Sequence, residues 1–322
     1  MSERFIVTGG AGFIGSNIVA ALNARGDENI LVVDDLASDE KWKNLVGLKY
    51  DDYMDRDTFR RSILDKRHTN VSAIFHMGAC SATTETNAAY LADNNYQVTR
   101  ELCEWCLKSG TRFIYASSGA TYGDGALGYS DDDRVTPTLR PLNMYGYSKH
   151  MFDLWALRNN LLGKIVGLKF FNVYGPREDH KDDMRSVVHK AYGQITNTGA
   201  VKLFKSYHPD YRDGEQVRDF VYVRDAVNVC LYFDRHRDVS GLFNVGTGTC
   251  RTWLDLANAV FAAMKRTPNV EFIEMPETLR PKYQYHTEAR IDKLRAAGYD
   301  QPFATLESGV EDYVRTHLSL NR

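Results

Sequence analysis

The sequence predicts an α/β fold, a doubly wound parallel sheet with a smaller α/β lobe, and two observations lead there. Short β-branched or aromatic runs alternate with longer helical patterns through the first half of the chain. A glycine-rich turn also separates the first run from the first helical pattern. Strands are expected over Arg4–Thr8, Ile30–Asp34, Ala73–His76, Phe113–Ser117 and Ile165–Phe170. Helices are expected between them over Phe13–Arg25, Asp57–Leu64, Tyr90–Lys108 and Tyr145–Asn160, each with apolar residues recurring at three- and four-residue spacing. Beyond Phe171 the pattern turns irregular, and the polar stretches Glu178–Asp183 and Lys205–Asp219 suit ligand-binding loops. A strand-like run at Phe220–Val223 and a helix at Asp225–Phe233 predict a return to the sheet, followed by helices at Thr252–Met264 and Leu306–Leu318. The lobes are therefore interleaved: residues 1–171 with 219–248 form the larger, and 172–218 with 249–322 the smaller.

Composition removes several classes of function. With 43% apolar and 25% charged residues, the 322-residue chain can bury a large core and has no stretch polar enough to stay disordered. A net charge of -2 gives no footprint for nucleic acid or for an anionic membrane. No leader-like or membrane-spanning run is visible, so a cytoplasmic location is expected. Five cysteines, an odd count, are expected as reduced thiols, and the Cys103–Cys106 spacing falls inside a helical stretch where packing explains it. The nine histidines are scattered, and Asp131-Asp132-Asp133 reads as a solvated loop, so no metal site is expected.

The strand ending at Thr8 runs into Gly9-x-x-Gly12-x-x-Gly15 just where a helix begins at Phe13. Glycines there let the turn close, let backbone approach a pyrophosphate, and let helix pack on strand. The free N–H groups and positive helix end then favour the phosphates. Such a turn, on a Rossmann-type sheet, binds a dinucleotide. Asp34 follows Gly15 by nineteen residues at the end of the second strand, where a carboxylate accepts hydrogen bonds from the adenosine ribose. Asp34 alone favours NAD; Lys41 and Arg56 downstream are cations that could meet a 2′-phosphate, so charge pattern leaves NADP and NAD both open.

Tyr145 and Lys149 lie four apart at the start of a helix, on one face. A phenol with a pKa of about 10 is a poor base near neutrality, and an adjacent ammonium favours the phenolate. Upstream, Ser117 and Ser118 stand at the carboxyl edge of the sheet, where a hydroxyl can hold a substrate oxygen.

The glycine turn, strand-end serine and Tyr-x-x-x-Lys, in this order, resemble the extended short-chain dehydrogenases/reductases that act on nucleotide sugars. The resemblance covers essentially the full length and is closest to the ADP-heptose 6-epimerases. It is carried by Val7–Val19, Gly78-Ala79-Cys80-Ser81 with Thr83-Thr84-Glu85, Asp93–Tyr96, Phe170–Glu178 through His180-Lys181, Arg218–Val223 and Leu294–Asp300.

What the resemblance implies is inversion at C6″ of an ADP-linked heptose by transient oxidation with NADP and re-reduction on the other face, for lipopolysaccharide heptose supply. Ser118, Tyr145 and Lys149 match the family's catalytic triad, and Lys181 its second proton-transfer group; read without the family, Lys181 sits in a solvated, charge-balanced loop. The implied cofactor contacts are Gly9, Gly12, Phe13, Ile14, Gly15, Asp34, Asp35, Lys41, Arg56, Met77, Gly78, Ala79, Cys80, Ser81, Asn94, Tyr145, Lys149 and Val173. The implied substrate contacts are Ser118, Asn172, Lys181, Asp183, Lys190, Phe204, Lys205, Ser206, Arg218 and Tyr283, with Arg218 on the diphosphate.

Departures fall at Asp183, where a serine is common, at Lys190, where a histidine is common, and in a longer, more charged Tyr207–Val217 segment. His189 could replace the histidine or lie on a helix surface. A homo-oligomer, a pentamer, is also implied. A UDP-hexose 4-epimerase shares the redox core. A 4,6-dehydratase would carry an acidic pair where this chain has Gly119-Ala120, and a non-catalytic NADP(H) sensor would not need all of Ser118, Tyr145 and Lys149.

Overall fold

The structure, a computed structural model, describes residues 3–65, 67–280 and 283–320. The chain opens with β1 (Arg4–Thr8) and α1 (Phe13–Ala24), then β2 (Ile30–Asp34), β3 (Asp52–Asp55), α2 (Arg56–Leu64) and β4 (Val71–His76). A long helix follows in three parts: α3 (Ala88–Leu91), a π-helical segment Ala92–Gln97, and α4 (Val98–Ser109), closed by Gly110 at φ 73. Then come β5 (Arg112–Ser118), α5 (Met144–Arg158) and β6 (Val166–Phe170). The strands expected from sequence are all present; β3 was not expected, because Asp-Tyr-Met-Asp is short, polar and lies at a sheet edge.

The second half adds β7 (Asn172–Tyr174), α6 (Val187–Thr198), β8 (Val201–Phe204), β9 (Val217–Arg218), β10 (Phe220–Tyr222) and α7 (Val223–Arg235). It ends with β11 (Gly241–Val245), β12 (Arg251–Thr252), α8 (Trp253–Ala263), β13 (Val270–Ile273), α9 (Asp292–Ala296) and α10 (Leu306–Tyr313). The central sheet has seven parallel strands in the order β11-β6-β5-β4-β1-β2-β3. Strand order reverses between β1 and β4, so their carboxyl ends frame the crevice where such sheets bind ligands.

One expectation is corrected. Phe220–Tyr222 pairs with β7 in a separate two-stranded sheet, and the return to the central sheet is β11. The cause is a bend after β6, where Phe171 N donates to Val245 O and β7 leaves the sheet, taking β10 as its partner.

Side chains alternate across the sheet, as strand geometry demands. Phe5 and Val7 face one core, which continues without a break into Ile195, Leu256 and Val310 of the second half. Ile6 faces the other, with Leu31, Phe113 and Phe152. Each such buried side chain contributes about 1.5–3 kcal/mol, so the sheet edges at the crevice are held on rigid supports. Asp131 corrects another expectation: it is buried, its carboxylate accepting from Asn244 N at 2.8 Å, while Asp133 pairs with Lys293 at 2.8 Å.

Candidate active site

The dinucleotide turn is a backbone cradle. A Cβ on Gly9 would lie 2.7 Å from Gly78 N, and one on Gly15 only 2.0 Å from Gly9 O, so neither position has room for a side chain. Asp34 braces the turn, its carboxylate accepting from Ala11 N at 2.9 Å and Asp35 N at 2.8 Å. Thr8, His76 and Thr99 tie β1, β4 and α4 together through hydrogen bonds of 2.7 and 2.9 Å. Burial, with Lys149 nearby, pushes the His76 imidazole down to about 3, so it stays neutral. A cradle with no room for a Cβ at Gly9 or Gly15, a carboxylate at the end of β2 and a helix starting at Phe13 fit a dinucleotide.

A cavity of about 680 Å³ opens over this cradle. Among the sequence-expected residues, Gly9, Gly12, Phe13, Ile14, Gly15, Asp34, Lys41, Met77, Gly78, Ala79, Cys80 and Ser81 line it. So do Ser118, Tyr145, Lys149, Asn172, Val173 and Lys181. Asp35, Arg56 and Asn94 lie outside the lining but beside one another: Arg56 reaches Asp35 at 3.5 Å and Asn94 Oδ1 at 3.3 Å. Lys41 in turn pairs with Asp34 at 3.2 Å.

Helix α5 brings Tyr145 and Lys149 to the cavity, capped by Asn143, whose side chain accepts from Gly146 N at 2.8 Å. Lys149 Nζ donates to Ala116 O of β5 at 2.8 Å. Burial pulls the Lys149 ammonium down to about 8, against the charges of Asp153 and Cys80. Burial also raises Tyr145, with a hydrogen bond from Ser118 acting the other way and Cys80 adding to the rise. An ammonium four residues away favours a lowered tyrosine, but here desolvation outweighs it.

Lys181 enters from the 3-10 segment Asp179–Met184, its ammonium 5.2 Å from the centre of the Phe13 ring. Burial lowers its pKa, and Glu178 opposes that. Asn44 fastens this loop to the cradle, its amide donating to Ala11 O at 2.9 Å and Arg177 O at 3.1 Å and meeting His180 Nδ1 at 3.2 Å. Asp183 and Lys190 meet each other instead of lining the cavity: Lys190 Nζ donates to Asp183 O at 2.6 Å. His189 pairs with Asp179 at 2.9 Å.

Arg218, on β9, is buried between the rings of Trp253 and Tyr283, at 5.4 and 5.2 Å from their centres. Trp253 lines the cavity, whereas Arg218, expected as a substrate contact, lies behind it outside the lining. Phe204, Lys205, Ser206 and Tyr283 lie outside the lining; Lys205 pairs with Glu274 at 2.6 Å. Trp253 and Asn95 join the site only through the fold. Asn95, buried in the π-helical segment, clamps Cys80 by bonds of 2.9 Å to its N and O and reaches Ser148 Oγ at 3.0 Å. A π segment at that point was the available signal only in three dimensions. Away from the cavity, Cys250, His286 and Glu288 bring three donor atoms within 4.8 Å of one another, a grouping that their separation in sequence hides.

The model of the NAD dependent epimerase/dehydratase family matches residues 5–246, a span that holds the cradle, Ser118, Tyr145, Lys149 and Lys181. The chain belongs to this family. Among relatives, ADP-L-glycero-D-manno-heptose-6-epimerase of Nitratidesulfovibrio vulgaris strain DP4 is 58% identical over 316 residues, 98% of each chain. The enzyme of the same name from Fusobacterium nucleatum subsp. nucleatum is 49% identical, again over 98% of each. Among solved structures, Helicobacter pylori ADP-L-glycero-D-manno-heptose-6-epimerase superposes with a TM-score of 0.82 at 29% identity, covering 98% of this chain and 96% of that one. Thermus thermophilus UDP-glucose 4-epimerase, in complex with NAD, gives 0.73 at 28% identity over 97% of each. The family thus shares a nicotinamide cofactor with the cradle described above. No helix among the described residues is long and apolar enough to cross a membrane.

Proposed function

We propose that the chain is an ADP-L-glycero-D-manno-heptose 6-epimerase, inverting C6″ of ADP-D-glycero-D-manno-heptose through a transient ketone. The observation that carries this is a single cavity joining the glycine cradle to Ser118, Tyr145, Lys149 and Lys181. Relatives of that name at 58% and 49% identity over nearly the whole chain support the choice of substrate. A nicotinamide bound over the cradle supplies one hydride acceptor that also returns the hydride.

The chain's own groups handle the protons. Tyr145 takes the proton of the C6″ hydroxyl in one epimer, with Ser118 hydrogen-bonded to the same oxygen. The hydroxyl points the other way in the other epimer, so a second group is needed, and Lys181 fills that role. Its lowered pKa suits an amine that must give and take a proton. Lys149, tied to Ala116 O, stands one helical turn below Tyr145 and holds positive charge beside it. Arg218, pinned by two rings, meets the diphosphate. In this reading residues 1–171 with 219–248 hold the cofactor, and 172–218 with 249–322 the sugar.

NADP is the proposed form, with Lys41 and Arg56 turning from Asp34 and Asp35 to a 2′-phosphate. The product feeds lipopolysaccharide heptose supply. The enzyme works in the cytoplasm, in keeping with its five free cysteines, and as a homo-oligomer, a pentamer by resemblance.

Incubation with ADP-D-glycero-D-manno-heptose, followed by NMR at C6″, tests the reading. Interconversion is expected; none, together with turnover of a UDP-hexose, would replace it with a 4-epimerase. Tyr145→Phe should lower kcat by about 10²–10⁴-fold while leaving the cofactor bound, the range for loss of a general acid–base. Mass spectrometry of cofactor released on denaturation tests NADP against NAD, and light scattering tests the oligomer.

A further inference from the structure

Beneath the reactive groups lies a buried ion pair with no part in the chemistry described so far. Asp153 and Lys169 are both 0% exposed and meet at 2.8 Å. Asp153 lies one turn beyond Lys149 on α5, as Lys149 lies one turn beyond Tyr145. Its other hydrogen bonds among the described residues go to β5: Tyr115 OH donates to Oδ1 at 2.9 Å and Ser117 Oγ to Oδ2 at 2.7 Å. Lys169, on β6, also donates to Thr121 Oγ1 at 2.7 Å and lies 5.1 Å from the Tyr122 ring centre. Thr121 Oγ1 donates in turn to Ser118 O at 2.8 Å.

This network joins β5 and α5, the two elements whose relative placement the reaction needs, to β6 beneath them. Ser118 ends β5, Tyr145 and Lys149 stand on α5, and Ala116 of β5 receives the Lys149 ammonium. A fold that needed only stability at this point could fill it with apolar side chains, since a buried ion pair seldom outperforms them. The carboxylate also faces Lys149 from its own helix, while His76 of β4, neutral, and Cys80 beyond β4 face it from the other side.

We propose that Asp153, anchored by Lys169, is a positioning residue for the redox step: it sets Tyr145 and Lys149 against Ser118 and supplies the counter-charge beside Lys149. This rests on the epimerase reading. The lysine sits near about 8 because burial pulls it down while Asp153 pushes it up. Removing the carboxylate therefore lowers it further, and the ammonium is lost at a lower pH.

The test uses Asp153→Asn and the charge-neutral double variant Asp153→Asn with Lys169→Met, both as holoenzyme. The single variant should lose about tenfold to a hundredfold in kcat, the scale of misplaced reacting groups, with KM and bound cofactor changing less than about twofold. The alkaline limb of its kcat profile should move to lower pH. In the double variant Lys169 is no longer left buried without its partner, so thermal stability should recover relative to the single variant while the kcat loss and shifted limb persist; this variant also serves if the single one does not fold. A double variant with wild-type kcat and limb would overturn the role and leave only a structural pair. Absence of wild-type turnover on the ADP-heptose would instead remove the epimerase reading.

Discussion

Where the turn from Gly9 to Gly15 is held by its backbone, the loop from Glu178 to Ser186 facing the same cavity is held by side chains. In the turn, closeness does most of the work: positions 9 and 15 have no space for a Cβ, and the side chains of Asp34, Asn44 and Ser16 add hydrogen bonds to its backbone. In the loop, Glu178 is fully buried and accepts from Ser186 Oγ at 2.6 Å, clasping both ends of the segment that bears Lys181. Arg177, just before the loop, and Asp182 within it take positive φ, at 75° and 45°, a conformation that costs side-chain-bearing residues energy and persists only when surroundings enforce it. A cradle for an invariant group tolerates no alteration, while a loop serving a particular sugar can be rebuilt by exchanging clasps.

The largest effect expected from this contrast is at Gly15. Gly15→Ala places a methyl 2.0 Å from Gly9 O and 2.9 Å from Gly10 Cα, all backbone, so the turn itself must move. Overpacking of this kind costs about 1–3 kcal/mol, and cofactor affinity should fall by at least about tenfold on top of the stability loss. Gly163→Ala, with nothing within 4 Å of the new methyl, should leave both unchanged. Fluorescence titration with NADP(H) reads the difference; equal affinities would mean that the turn does not carry the dinucleotide.

The same contrast explains what the sequence made legible. Glycines and a Tyr-x-x-x-Lys pair act through neighbours a few residues away, so their spacing is visible in one dimension, and strands such as Ile30–Asp34, buried throughout, stand out by their apolar runs. Asp153 and Lys169 were not legible, because a charged residue on a helix or strand reads as solvated until the fold covers it. Asn95 was hidden likewise: only the π-helical segment turns it onto Cys80. Asp131 misled for the opposite reason, standing in an acidic run that looked exposed. The resemblance to a family supplied Lys181, which its charged surroundings alone did not distinguish.

A middle-sized effect is expected at the clasp. Glu178→Gln keeps the shape but removes the carboxylate that Ser186 Oγ and Gly175 N address. The loop should loosen, lowering kcat by about tenfold through misplacement of Lys181, with cofactor affinity nearly unchanged. Limited proteolysis provides an independent readout, since Lys181 and Arg185 should become faster cleavage sites for trypsin. Loss of cofactor binding instead would show that loop and cradle fail together, through the Asn44 link.

The smallest effect decides between two places for Lys190. The family resemblance puts it among the substrate contacts, whereas its ammonium here donates to Asp183 O at 2.6 Å from an exposed position. An exposed polar tie of this kind contributes less than about 1 kcal/mol. Lys190→Met should therefore change KM for the nucleotide sugar by no more than about threefold and leave kcat alone. A charged contact to substrate would be worth about 1.5–3 kcal/mol, so its loss would raise KM by at least about tenfold. A rise of that size would move Lys190 from the loop's support into the sugar site, and with it the boundary between the side chains that clasp the loop and those that read the substrate.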